Sequence, residues 1–130
     1  MLKRIDHVGV IVDDLADAER LLGEGFGMTR TRGVELPNRL KAAFYRCGEV
    51  EIEVIEVTDP SERAQRLGGE QAKVEHIAVE VDDLATALKA LEALGVRPNA
   101  QPAKVGPNTS VWTIPETSDG YQFQFFEREK

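Results

Sequence analysis

The chemistry available to this chain begins with two histidines. His7 and His76 are the only ones it has, and Cys47 is its only cysteine. An imidazole can bind a metal or move a proton near neutral pH. Taken singly, a histidine on a strand is more often hydrogen-bonded than a ligand. Here the two share a context. Residues 5–22, which begin Ile5-Asp6-His7-Val8-Gly9-Val10, align without a gap on residues 74–91, which begin Val74-Glu75-His76-Ile77-Ala78-Val79. Nine of the eighteen positions are identical, among them the histidine, the double aspartate (Asp13-Asp14 and Asp82-Asp83) and the Leu-Ala that follows. Such a repeat marks two copies of one structural unit. We read a single domain, residues 1–130, made of module 1 (residues 1–58), a connector (59–72) and module 2 (73–130).

The repeat returns near the end of each module, where Glu51-Ile52-Glu53-Val54-Ile55-Glu56 matches Gln122-Phe123-Gln124-Phe125-Phe126-Glu127. Alternation along a strand sends Ile52, Val54, Phe123 and Phe125 to one face, and Glu53 and Gln124 to the other. On the opening strands, Val8, Val10 and Val12 share one face, and His7 lies on the opposite one. His7, Glu53, His76 and Gln124 therefore occupy equivalent faces of four equivalent strands. If the modules pack about a pseudo-twofold, these four converge on one divalent ion. Two imidazoles, a carboxylate and an amide oxygen make a five- or six-coordinate set with water. That set suits Co, Mn, Ni, Zn or Fe better than Ca or Mg.

Positioning these side chains takes a strand, a helix and three more strands per module. Asp13 or Asp14, and Asp82 or Asp83, stand where a helix N-cap belongs. Leu15, Ala18, Leu21 and Leu22, and likewise Leu84, Ala87, Leu88, Leu91 and Leu94, form helical stripes. Gly23 and Gly95 are the expected helix stops. The following strands are predicted at Met28–Arg32, Lys41–Arg46 and Val50–Val57, and then at Arg97–Ala100, Thr109–Ile114 and Tyr121–Glu127. Asp59-Pro60 opens a short connector helix through Leu67, ended by Gly68-Gly69. The fold class is α+β, two βαβββ modules forming a curved eight-stranded mixed, mainly antiparallel sheet around a cup.

These residues resemble the two module starts of methylmalonyl-CoA epimerases and are also similar to glyoxalase I, within the vicinal oxygen chelate superfamily. The resemblance covers essentially the whole chain, from Ile5-Asp6-His7-Val8-Gly9-Val10 to Asp119-Gly120-Tyr121. It implies one divalent metal held at the positions of His7, Glu53, His76 and Gln124, and an enolate-like intermediate. It also implies proton transfer at the carbon beside a carbonyl, with Glu53 as the catalytic base. A homodimer is a further implication. The chain departs from that family at Gln124, where epimerases and glyoxalases usually carry Glu. An amide can ligate but cannot accept a proton at neutral pH, which leaves Glu53 alone among the four, with Glu51 or Glu80 as substitutes. A second departure is Val105-Gly106-Pro107-Asn108, where epimerases tend to carry a Gly-Ala-His-Gly-like loop. The expected function is a divalent-metal isomerase or epimerase acting on a small acyl (including acyl-CoA) or 2-oxo compound. The alternatives are a glyoxalase-like lyase, an Fe(II) dioxygenase built on His7, His76 and Glu53, and a non-catalytic metabolite- or antibiotic-binding protein.

The totals narrow the partners. With 130 residues the chain can bury a core unaided. A net charge of −7 argues against nucleic acid as a partner. No apolar run is long enough to span a bilayer, and the N-terminus lacks the form of a secretory signal. One cysteine permits no intrachain disulfide, which fits the cytoplasm. Cys47 has no third histidine to activate it and reads as structural. Arg46 and Lys104 read as solvated surface able to meet a carboxylate or phosphate. Trp112 and Tyr121 are aromatic residues able to line the cup, although core is their commoner place.

Overall fold

The repeat appears as two copies of the same element order in the computed structural model, which describes residues 2–129. Module 1 runs β1 (Leu2–Val12), α1 (Leu15–Glu19, continued by a π-helical turn Arg20–Gly25), β2 (Thr29–Leu36), β3 (Leu40–Cys47) and β4 (Val50–Val57). After α2 (Pro60–Leu67), module 2 runs β5 (Ala72–Val81), α3 (Leu84–Ala93), β6 (Ala103–Val105), β7 (Asn108–Trp112) and β8 (Phe123–Arg128). The fold is α+β. Its mixed eight-stranded sheet has the order β2-β3-β4-β1-β5-β8-β7-β6. By compactness the chain divides into His7–Glu75 and a second unit, residues 2–6 with 76–129.

In the unit His7–Glu75, β1 pairs in parallel with β4, with Val10 beside Val54 and Gly9 beside Glu53. Strands β4 and β3, and β3 and β2, pair antiparallel. Asp14 is extended, and its carboxylate accepts from the Asp17 N–H, capping α1. The Glu56 carboxylate accepts from the Leu15 N–H at 3.0 Å, so this glutamate serves the helix terminus. The helix side buries Val12, Leu22, Ala43, Tyr45 and Val54. Gly23 does not stop the helix as expected. It lies within the π-helical turn, and the chain turns at Gly27 with φ 72°. Helix α2 forms as predicted, capped by Asp59, opened by Pro60 and closed by left-handed Gly68.

The second unit repeats the logic. β5 pairs in parallel with β8, which pairs antiparallel with β7. The Asp83 carboxylate accepts from the Ala85 and Thr86 N–H groups, and Glu127 accepts from the Leu84 N–H at 3.3 Å, as Glu56 does for α1. Val79, Val81, Leu84, Ala87, Val111 and Phe125 form the core under α3. The strand predicted at Arg97–Ala100 is reduced to one bridge, Pro98 to Thr113. Pro98 has no N–H to donate to a ladder, and the strand begins at Ala103 instead.

Candidate metal centre

On the face of β1, β3 and β4 opposite α1, His7 is 8% exposed and its Nε2 lies 3.6 Å from Glu53 Oε1. Two ligand atoms about 2.1 Å from a shared ion are at most about 4.2 Å apart, so this pair fits a common metal. Phe44, directly across from Glu53 in the β3–β4 register, sets its edge against the His7 ring, with centroids 5.3 Å apart and an interplanar angle of 80°. Buried apolar surface on one side fixes the imidazole orientation while its nitrogen meets the carboxylate.

The second unit builds a counterpart on the face of β5, β7 and β8 opposite α3. His76 is 4% exposed. Trp112 packs edge-on against it, with centroids 4.8 Å apart, and pairs with Gln124 in the β7–β8 register. The Gln124 Nε2–H donates to the buried Ser110 Oγ at 3.3 Å, which leaves the amide oxygen as the donor suited to a cation. Each half therefore offers one buried imidazole, one side-chain oxygen and one aromatic wall. Trp112 faces the histidine as sequence reading allowed. Tyr121 does not, because it is exposed and packs on Phe123. Phe44 escaped sequence reading; its only signal is its position one strand before Glu53. Within the unit His7–Glu75, His7 and Glu53 bring an imidazole and a carboxylate close enough to share a metal ion.

Other named residues take different places. Glu51 accepts from the Thr31 hydroxyl. Glu80 is 6% exposed and held by Arg4 Nε at 3.1 Å, Arg128 Nε at 3.3 Å and Lys3 Nζ at 3.7 Å. A buried carboxylate so paired is committed to the fold and is a poor substitute base. Cys47, Arg46 and Lys104 are exposed. Tyr45, on the helix side, donates to Glu19 at 2.8 Å. Burial first, and then Glu19, raise its phenol above the usual value of 10.0.

A model of the Glyoxalase/Bleomycin resistance protein/Dioxygenase superfamily matches residues 6–113. The protein YwbC of Bacillus subtilis is 31% identical over 137 residues, covering 98% of this chain and all of that one. Among solved structures, protein BH1468 of Bacillus halodurans superposes with a TM-score of 0.82 at 21% identity, over 98% of this chain and 95% of that one. Methylmalonyl-CoA epimerase of Mycobacterium tuberculosis gives the same TM-score and identity over 99% and 90% of the two chains. At that identity the structural likeness establishes the fold, and the family match carries the classification. The chain belongs to the Glyoxalase/Bleomycin resistance protein/Dioxygenase superfamily.

Proposed function

We propose that this protein is a divalent-metal-dependent isomerase or epimerase acting on a small acyl or 2-oxo compound through an enolate. The metal would be held by His7, Glu53, His76 and Gln124. The observation that carries the reading is the approach of buried His7 to partly buried Glu53, 3.6 Å apart, which recurs in kind as His76 and Gln124 on the matching strands. The isomerase reading rests on the resemblance of the two module starts, Ile5–Val10 and Glu75–Val81, to those of methylmalonyl-CoA epimerases, and an epimerase of that kind shares this fold.

A bound divalent ion supplies Lewis acidity, polarising a carbonyl so that the neighbouring C–H becomes acidic. The chain's own residues supply the rest. Glu53 is the one carboxylate among the four, so it takes the proton from the carbon and returns it. Gln124 contributes an oxygen and no proton. Phe44 and Trp112 hold the imidazoles in place and exclude water from one side of each. The protein works in the cytoplasm as a homodimer on this reading.

Elemental analysis of the purified protein, followed by a deuterium-exchange screen of acyl-CoAs and 2-oxo compounds, tests it. Stoichiometric Co, Mn, Ni or Zn with solvent exchange at the carbon next to the carbonyl is the expected result. Iron with oxygen uptake, or a protein that binds ligand without metal, overturns it.

A further inference from the structure

Strand β2 carries an irregularity with a consequence for substrate choice. Arg30 pairs with Tyr45 and Arg32 with Phe44, so Thr31 is an extra residue opposite nothing. This is a β-bulge, a device that re-aims side chains. In regular alternation Arg30 and Arg32 would share a face. The bulge separates them. Arg30 stays on the helix side, where its Nε meets Glu19 at 3.0 Å. Arg32 turns to the other side, with its guanidinium carbon 4.0 Å from the centroid of Phe44. Phe44 is the ring that packs against His7 and lies across from Glu53. Arg32, Phe44, His7 and Glu53 thus form a continuous row on one face.

Arg32 is exposed, and among the described residues it makes no ion pair or hydrogen bond, only this ring contact. Arg46, further along the same face of β3, stands directly across from Glu51, an opposite charge within cross-strand reach. Arg32 has no such neighbour. Stacking on an aromatic ring keeps the planar fork extended and its N–H donors free for a two-pronged grip on a carboxylate. In a chain of net charge −7, an uncompensated arginine beside the candidate centre is a specific counter-charge.

We infer that Arg32 is the residue that selects substrate, gripping a free carboxylate while the adjoining carbonyl reaches the centre at His7 and Glu53. The substrate is therefore a carboxylate-bearing 2-oxo or acyl compound. This inference rests on the metal-centre reading above, and its test separates the two. Co(II) is titrated first into the wild type, Arg32→Met and Arg46→Met. The Co(II)-loaded proteins are then titrated with pyruvate and with its neutral isostere pyruvamide. All three should bind Co(II) equally. Pyruvate binding should weaken about tenfold or more in Arg32→Met, the loss expected for a hydrogen bond to a charged group. Pyruvamide binding, and both titrations of Arg46→Met, should not change, and Arg32→Lys should recover only part of the pyruvate affinity. A wild type that takes up no Co(II) overturns the metal reading. Normal Co(II) uptake overturns the carboxylate grip in any of three cases: pyruvate is not bound, it is bound equally by Arg32→Met, or both probes weaken alike.

Discussion

At the scale of single residues, the candidate centre depends on a division between oxygen donors. Glu53 can ligate and accept a proton, whereas Gln124 can only ligate. Glu53→Gln should therefore abolish solvent-deuterium exchange into substrate, checked by NMR. Unchanged exchange would remove Glu53 from the base role. Gln124→Glu should keep or strengthen metal binding, because a carboxylate replaces an amide of the same shape; loss of metal in a direct titration would show that Gln124 is not a ligand. Tyr45 gives a pH prediction away from the centre. Its phenol is raised in the folded state by burial and then by Glu19, so the folded protein holds that proton more tightly than the unfolded chain. This contribution to stability is fully present below pH 10 and is lost as pH rises through the raised value. Urea melts across that range should show the decline in the wild type and a flatter profile in Tyr45→Phe.

At the scale of elements, the helix start in each module is served twice, once by the preceding aspartate and once by a carboxylate from the module's last strand. Asp14 and Glu56 serve α1, and Asp83 and Glu127 serve α3. Asp83→Ala should cost about 1 kcal/mol in chemical denaturation. The aspartates were legible because an N-cap is a local preference. The glutamates were not, because their partners lie 41 and 43 residues away in the chain. The same distinction explains the strand errors. Val50–Val57 follows plain alternation and is found as read. Strand β2 continues past the expected Arg32 to Leu36 and carries a bulge at Thr31, and an extra residue leaves no mark on composition.

At the scale of the whole molecule, a metal that binds the folded chain and not the unfolded one must stabilise it by mass action. That amounts to about 2.7 kcal/mol at a hundredfold excess over the dissociation constant. Chelation should therefore lower the melting temperature, and Co(II) or Mn(II) should restore it. His7→Ala should show neither effect in calorimetry. Membership of the superfamily fixes the fold; it names neither the metal nor the substrate.

The amino-acid sequence alone determined the duplication, the α+β class, the strand–helix–strand grammar and the faces of His7, His76, Glu53 and Gln124. All of these are periodic or repeated properties, and periodicity is local information. Only the tertiary structure decided which aromatic ring backs each imidazole, that Gln124 is turned by Ser110, that Glu80 is neutralised by three cations, and that Arg32 stands on the face of His7 while Arg30 does not. Those facts depend on strand register and on one unpaired residue. A shift of one position in register exchanges the two faces of a strand, and neither register nor bulge is encoded in any short stretch of residues.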